Sequence, residues 1–154
     1  MKKKKVYTFV YVDNINNINW DELSHLYKIA NLGNKSSHDL EIVYLNSKYK
    51  YFIYTDENLI GAGRALSDGI DCSYICDVAI HPDYQGLSLG KNIVKQLVLA
   101  SKEHKKILLY SMPGKELFYE KLGFSKMKSA MAIFKNQSEA EQIGLIEKRN
   151  DYEY

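Results

Sequence analysis

The stretch from Asp77 to Lys91 constrains the fold more than any other part of this 154-residue chain. A strand-like run ends at Ile80, Pro82 interrupts it, and a glycine-bearing loop leads directly into a helical pattern that starts at Leu89. The first amides of a helix have no intrahelical acceptor, and the helix dipole adds positive potential there. Glycines also let an anion approach the backbone closely. The sequence therefore predicts either a phosphate-binding loop or a turn that merely joins strand to helix.

The spacing of the glycines excludes two common nucleotide-binding loops. A Walker A loop has four residues between its glycines and ends in Lys-Ser/Thr, whereas three residues separate Gly86 from Gly90 and Lys91 is followed by neither Ser nor Thr. The dinucleotide-binding fingerprint also needs a different spacing. The pair Gly61-x-Gly63 lies within a strand-like run and has no third glycine. Neither loop type therefore accounts for this segment.

Hydrophobic periodicity predicts one α/β domain with the element order β-α-α-β-β-β-α-β-α-β. Asn19 and Glu22 have the spacing of a capping box at the start of the first helix, and Gly33 is the expected stop. Residues 37–46 fit a helix slightly better than a strand. The other expected strands are 6–12, 49–54, 59–67, 73–80, 107–111 and 130–134, and the other expected helices are 89–102 and 115–122.

Two motifs carry a resemblance to a known family. Gln85-Gly86-Leu87-Ser88-Leu89-Gly90, with its lead-in from Val78, resembles the acyl-CoA-binding motif of the GNAT superfamily of N-acetyltransferases. Phe118-Tyr119-Glu120-Lys121-Leu122-Gly123-Phe124 resembles the second hallmark of that family, at the expected distance. Ser88 departs from the pattern, because the family usually has glycine there. The resemblance implies that this loop binds an acyl-CoA cofactor, and that serine at position 88 makes the affinity for the cofactor weaker than is typical of the family.

The resemblance also implies the fold class and the domain organisation. We expect an α/β (α+β) GNAT fold, with a mixed, mostly antiparallel central sheet of about six to seven strands flanked by four helices. The N-acetyltransferase domain is expected to span residues 1–135. Residues 136–154 are expected to form a C-terminal tail with a short helix around 140–146.

Acetyl-CoA is the co-substrate that the resemblance implies, and no metal is expected. Backbone groups of Val78, Ala79 and Ile80 would hold the pantetheine arm. The pyrophosphate would bind to the loop and the first helical turn, formed by Gln85, Gly86, Leu87, Ser88, Leu89, Gly90 and Lys91. Ser111 stands where the family often has an asparagine that contacts CoA, and Lys115 would reach the cofactor phosphates.

Acetyl transfer to an amine needs a polarised thioester carbonyl, a deprotonated amine and a proton for the departing thiolate. By resemblance, Tyr119 is the general acid, since a phenol with a pKa near ~10 stays protonated at neutral pH. Core packing is the alternative for Tyr119. Asp77 is the first candidate for the base, acting through water, although local pairing accounts equally well for this carboxylate. His81 is expected to have a surface role.

The acceptor is expected to be the primary amine of a small molecule. Segments 63–69, 75–78 and 109–114 are similar to the branch that contains cyanobacterial and chloroplast serotonin N-acetyltransferases. An arylalkylamine would fit that branch, and a polyamine is a second candidate acceptor. Four aromatic residues could face such a substrate, although core packing accounts for them better: Trp20, Tyr27, Tyr44 and Tyr74. A protein amine, or a GNAT-fold module that binds acyl-CoA without turnover, is the alternative.

Composition bounds the remaining expectations. The chain is 45% hydrophobic and 26% charged, with 21 Lys and Arg against 19 Asp and Glu, which is typical of a globular protein and too balanced for a nucleic-acid-binding face. The lysines at 2–5 are expected to be a solvated terminus. No signal peptide or membrane span is apparent, and the two cysteines, Cys72 and Cys76, fit buried thiols in a reducing cytoplasm. A homodimer is compatible with the family.

Overall fold

The computed structural model describes residues 6–148. The expected solvated lysines at 2–5 and the end of the expected tail, 149–154, lie outside the described residues. The chain divides into two compact units, the first ending at Leu109 and the second beginning at Tyr110.

The first unit contains a mixed sheet. Within residues 6–148 its strands are β1 (Val10–Val12), β2 (Tyr49–Thr55), β3 (Asn58–Ser67), β4 (Cys72–Ile80) and β5 (Lys106–Leu108), in that order across the sheet. The neighbours from β1 to β4 are antiparallel, and β4 and β5 are parallel. The mixed, mostly antiparallel sheet is confirmed. The expected count of six to seven strands is wrong for the described residues, which form five.

The missing strand is the one expected at 130–134. This segment pairs with no strand among the described residues, and its alternating side chains Met131 and Ile133 are 94% and 98% exposed. Alternation of apolar residues is a local signal, whereas a strand also needs a partner backbone to satisfy its hydrogen bonds. The strand predicted at 130–134 from this alternation is therefore wrong.

The helices follow the predicted order. They are α1 (Trp20–Ile29), α2 (Ser37–Leu45), α3 (Leu89–Ala100), α4 (Glu116–Glu120) and α5 (Gln137–Gln142). The short helix expected in the tail is α5, which begins three residues earlier than predicted. No helix within residues 6–148 is long and apolar enough to span a bilayer.

The caps explain where α1 and α2 begin. The Asn19 side chain accepts hydrogen bonds from the amides of Asp21 and Glu22, both at 3.1 Å. Glu22 does not close the capping box, because its carboxylate accepts instead from the amide of Leu59 on β3 (2.7 Å). Ser36 caps α2 by accepting from a first-turn amide at 3.0 Å. The helix interpretation of residues 37–46 is therefore correct, and the strand alternative is wrong.

The end of α1 differs from the expectation. Asn31 adopts a left-handed conformation (φ +59°), and the Leu32 amide donates to the Tyr27 carbonyl at 2.9 Å, which is the pattern of a Schellman motif. Gly33, the expected stop, follows two residues later at φ +83°. Asparagine tolerates this conformation better than most side chains, so it ends the helix before the glycine.

Helices cover both faces of the sheet in the first unit. Ala62 of β3 and Phe52 of β2 pack in the core formed with α1 and α2. The adjacent Gly63 faces the other way, where an added Cβ would lie 2.5 Å from Ile93 of α3. Alternate residues of β3 therefore serve two different helical layers. Gly61-x-Gly63 is a packing feature that allows α3 to approach the sheet closely.

Candidate functional site

The second half of β4 lacks a strand partner on its β5 side among the described residues. The parallel partner β5 pairs only with Cys72–Tyr74 at the start of β4. Residues 75–80 continue along β3 without a further ladder partner on the β5 side among the described residues. A strand edge of this kind presents backbone donors and acceptors that an extended ligand can pair with.

A β-bulge changes the course of β4 in this half of the strand. Ala62 pairs with Ala79, and Arg64 pairs with Cys76, so that Asp77 and Val78 together face Gly63. Asp77 has φ +56°, in the left-handed region that is unfavourable for a residue with a side chain. A bulge bends the strand and redirects the residues that follow. Here those residues are the ones expected to hold the pantetheine arm.

The Asp77 carboxylate is held by two cations. Its Oδ1 lies 2.6 Å from Nζ of Lys35, in the loop between α1 and α2, and its Oδ2 lies 2.8 Å from Nε of Arg64 on β3. The side chains of Asp77 and Arg64 are 14% and 11% exposed, and that of Lys35 is 34% exposed. The local pairing considered for this carboxylate is therefore present.

Two buried tyrosines extend this cluster into the core. The Tyr27 hydroxyl lies 2.5 Å from that of Tyr44 and donates to the backbone carbonyl of Asp77 at 3.3 Å. Burial raises the pKa of both phenols above the usual value near 10, so both keep their protons at neutral pH. Trp20 packs against the same core. Tyr27 and Tyr44 are therefore core residues and do not line an open substrate surface.

The turn after β4 is fixed by side-chain hydrogen bonds. Pro82–Tyr84 form a short 3₁₀ turn, capped by Nδ1 of His81, which accepts from the Asp83 amide at 3.1 Å. Nε2 of Gln85 donates to the Ile80 carbonyl at 3.2 Å. His81 thus has a local structural contact, and Gln85 ties the start of the glycine loop (residues 85–90) back to the end of the strand.

The glycine loop enters α3 through two left-handed residues. Gly86 has φ +81°, and a Cβ added there would meet no atom within 4 Å. Ser88 has φ +62° and ψ +14°, is exposed, and makes no side-chain hydrogen bond to the helix that it precedes. The first bond of α3 joins the Asn92 amide to the Ser88 carbonyl at 3.0 Å. The amides of residues 89–91 therefore have no intrahelical acceptor.

The remaining candidate residues lie in the second unit. Ser111 follows β5 in irregular backbone, and the exposed Lys115 immediately precedes α4. Tyr119 lies within α4, with its ring 5.0 Å from that of Phe118 and 6.1 Å from that of Phe124. Burial raises the pKa of the Tyr119 phenol. A tyrosine in this environment keeps its proton at neutral pH and can donate it.

Sequence reasoning missed two charged members of the Asp77 cluster. Arg64 carried a usable signal, because it is the only charged residue in the apolar run 59–67. A charge in such a strand is expected to have a specific partner. Lys35 carried no comparable signal, since it lies in a polar loop 42 positions away from its partner.

The cysteines are less enclosed than expected. Cys72 and Cys76 are both free and only partly buried. Burial raises the pKa of the Cys76 thiol, which favours its neutral form. Within residues 6–148, no group of three or more His, Cys, Asp or Glu side chains converges as metal ligands would.

The comparison with family models decides the identity of the domain. Residues 22–140 match the acetyltransferase (GNAT) domain. The chain belongs to the GNAT acetyltransferase family. This confirms the resemblance inferred from the glycine loop and the Tyr119 motif, and acetyl-CoA is the co-substrate typical of this family.

The chain is similar to individual GNAT proteins over different shares of its length. An uncharacterized N-acetyltransferase, ycf52, from Pyropia yezoensis is 35% identical over 123 residues, which cover 76% of this chain and 71% of that protein. Serotonin N-acetyltransferase 2, chloroplastic, from Oryza sativa is 33% identical over 85 residues, covering only 52% of this chain and 42% of that protein. A solved GNAT-family acetyltransferase from Streptococcus pneumoniae shares the fold with a TM-score of 0.72 and 20% identity, over 84% of this chain and 99% of that one.

Proposed function

We propose that this GNAT protein transfers the acetyl group of acetyl-CoA to the primary amine of a small molecule, by direct attack in a ternary complex. The observation that carries the proposal is the continuous path formed by the bulged edge of β4 and the glycine loop. Over residues 75–80 the edge has no ladder partner on the β5 side among the described residues, and the loop offers the first amides of α3. A pantetheine arm and a diphosphate need these two kinds of contact in this order.

The residues present fit acetyl-CoA. The open space around Gly86 is what a diphosphate requires at the loop, and a side chain there would reduce it. Val78, Ala79 and Ile80 would hold the pantetheine arm through their backbone, and the exposed Lys91 would add a positive charge next to the diphosphate. Ser111 and Lys115 remain proposed secondary contacts. Acetyl-CoA supplies the activated acetyl thioester.

Tyr119 is the proposed general acid. Its raised pKa keeps the phenol protonated at neutral pH, so that it can donate to a thiolate leaving group. Its position four residues before Gly123 is the one at which the family motif places a tyrosine. Tyr119→Phe keeps the ring and removes the hydroxyl group that carries this proton.

Asp77 is the proposed base, acting through a water molecule. Each carboxylate oxygen has two lone-pair sites, and the ion pairs with Lys35 and Arg64 use one on each oxygen. The remaining sites can accept a hydrogen bond from a water that takes the proton of the amine. Alkylammonium groups have pKa values near ~10.4, so such a proton acceptor is needed at neutral pH.

The acceptor class is proposed as a small primary amine, with arylalkylamines tested first. The partial match to the rice serotonin N-acetyltransferase supports that order. Burial of Tyr27 and Tyr44 removes two of the four aromatic side chains considered as a substrate wall. Polyamines and lysine side chains are therefore included in the same test.

Several further statements are proposals of the same kind. We propose a cytoplasmic enzyme that does not bind nucleic acid or membranes and that can form a homodimer. The chloroplastic name of the rice relative makes a plastid location the alternative. The boundary between domain and tail at residue 135 is also a proposal, and the family match extends to residue 140.

Titration calorimetry with acetyl-CoA tests the first half of the proposal. Wild-type protein should bind, and Gly86→Asp should weaken binding at least tenfold, because a carboxylate would repel the diphosphate and fill the open space. Gly69→Asp is a matched control, since Gly69 also has a positive φ, its added Cβ would meet only the flexible end of Lys48, and it lies in the turn before β4, at the other end of that strand from the glycine loop. Equal affinities of wild type and Gly86→Asp would contradict the proposed site.

Release of free CoA thiol tests the second half. Tryptamine, serotonin, spermidine and a lysine-containing peptide are offered to the same sample, and one small amine should give turnover well above hydrolysis. Turnover on the peptide alone would reassign the protein to the protein N-acetyltransferases. Binding of acetyl-CoA without release on any acceptor would favour a non-catalytic module.

A further inference from the structure

The bulge at Asp77 requires something to hold it. A residue with a side chain in the left-handed region costs about 1–2 kcal/mol relative to ordinary backbone. Asp77 occupies this region at φ +56°, in the middle of a strand whose edge is unpaired on one side. Such a conformation persists only where surrounding contacts determine it.

Three separate elements supply these contacts. Lys35 from the α1–α2 loop and Arg64 from β3 each bind one oxygen of the Asp77 carboxylate. Tyr27 from α1 donates to the carbonyl of the same residue. Both the side chain and the backbone of Asp77 are therefore fixed, and they are fixed from the N-terminal helical layer as well as from the sheet.

Arg64 is the more deeply anchored cation. Its Nη1 donates to Oγ of Ser47 at 3.2 Å, and this hydroxyl donates in turn to the Val43 carbonyl in α2 at 2.6 Å. Lys35 is a third exposed, and its Nζ lies 5.3 Å from the centroid of the Tyr27 ring. Removal of Arg64 would leave buried polar groups unpaired. Removal of the Lys35 charge would leave Asp77 Oδ1 without its ion-pair partner on the side of the cluster that solvent can reach.

We propose that Lys35 and Arg64 are positioning residues for acetyl transfer, because they hold the Asp77 bulge and thereby fix the backbone of residues 78–80 for the pantetheine arm. This inference rests on the proposed function. It also means that the α1–α2 loop, which carries Lys35, influences the affinity of a cofactor that binds along β4.

The test compares two ligands that share only the diphosphate-bearing nucleotide. Acetyl-CoA carries the pantetheine arm and a ribose 3′-phosphate, and ADP carries neither, so the Lys28→Met control below also reports any general effect of a lost positive charge on binding of that phosphate. Lys35→Met keeps the aliphatic stem and removes the charge. We expect it to raise the Kd of acetyl-CoA about tenfold, since a factor of ten in Kd corresponds to about 1.4 kcal/mol, which is the scale of the cost of the left-handed conformation that the ion pair holds. The Kd of ADP should stay within twofold of wild type, because the glycine loop is unaffected.

Two further variants separate positioning from general damage. Lys35→Arg keeps a cation that can reach Asp77 and should restore the acetyl-CoA Kd to within about threefold of wild type. Lys28→Met removes the same charge from the exposed face of α1 and should leave both affinities unchanged. Arg64→Met is expected to unfold part of the protein, so the test does not depend on it.

The outcomes distinguish this inference from the proposed function. If wild type fails to bind acetyl-CoA, the proposed function fails first. If wild type binds and Lys35→Met binds both ligands as wild type does, the positioning role is overturned alone. A parallel loss of acetyl-CoA and ADP affinity would also overturn it, because it would indicate general destabilisation. A loss confined to acetyl-CoA, with rescue by arginine, supports it.

Discussion

Gly63 is a position where a single added methyl group should clearly lower the free energy of unfolding. Its Cβ would lie 2.5 Å from Cγ2 of Ile93 and 3.3 Å from Cδ1 of Leu97, both in α3. The first distance is about 1 Å shorter than an ordinary carbon–carbon contact. Ile93 is fully buried and branched at Cβ, so it cannot rotate away without a clash elsewhere. The helix or the strand must move instead.

The magnitude follows from two opposing effects. Overpacking of a close-packed core typically costs about 1–3 kcal/mol. Replacing glycine by alanine also restricts the unfolded chain, which returns about 0.4–1 kcal/mol. Gly63→Ala should therefore lower the free energy of unfolding by about 1–2 kcal/mol, measured by urea denaturation followed through tyrosine and tryptophan fluorescence.

A control and a double-mutant cycle make this prediction specific. At Gly61 the nearest atom to an added Cβ is Cδ1 of Ile80 at 3.0 Å, the end of a flexible side chain, so Gly61→Ala should cost less. Ile93→Ala removes the clashing methyl group. In that background Gly63→Ala should be close to neutral, giving a coupling energy of about 1 kcal/mol or more. An undiminished cost in the Ile93→Ala background would refute the proposed contact.

Three further predictions concern the loop, the acid and the buried phenols. Ser88→Gly should raise the free energy of unfolding by about 0.5 kcal/mol, since relief of the left-handed serine outweighs the added entropy of the unfolded chain. Ser88→Ala should change the free energy of unfolding little, because the Ser88 hydroxyl makes no capping bond. Urea denaturation of wild type and the two variants measures these differences. Tyr119→Phe should lower the rate of CoA release at least tenfold and leave the acetyl-CoA Kd within twofold; an unchanged rate would assign the proton to another group. Because burial raises the pKa of Tyr27 and Tyr44, the stability that they contribute is complete below pH ~10 and is lost as the pH rises above it. Urea unfolding between pH 8 and 11 should therefore show a steeper decline for wild type than for Tyr44→Phe.

The features that sequence reasoning predicted well are those with local causes. The helix α1 begins after Asn19 because the Asn19 side chain caps the first amides, and the capping residue lies within three residues of the amides that it binds. The strand, the proline break and the glycine loop before α3 are likewise contiguous, and the structure reproduces them in order. The family motif could be identified for the same reason.

The features that it missed depend on partners distant in the chain. The alternation at 130–134 could not indicate whether a neighbouring strand would be present. The expected capping box at Glu22 failed because the Leu59 amide, 37 positions away, competes for the same carboxylate. The role of Asp77 as an ion-pair centre depends on Lys35, whose loop gives no sign of its destination. In each case the local sequence allows more than one structure, and contacts between segments that are distant in the chain determine which one forms.

Gly63 connects the two halves of the candidate cofactor site. Asp77 and Val78 bulge opposite this residue on one side of β3, and α3 packs against it through Ile93. The same glycine thus sets how closely α3 approaches the sheet, and α3 carries at its start the amides proposed to bind the diphosphate. A methyl group at 63 should therefore weaken acetyl-CoA binding as well as stability. Calorimetry with acetyl-CoA on wild type and Gly63→Ala, at a temperature where both are folded, separates the effect on binding from the effect on stability. An unchanged affinity would show that the bulge and the helix are positioned independently of Gly63.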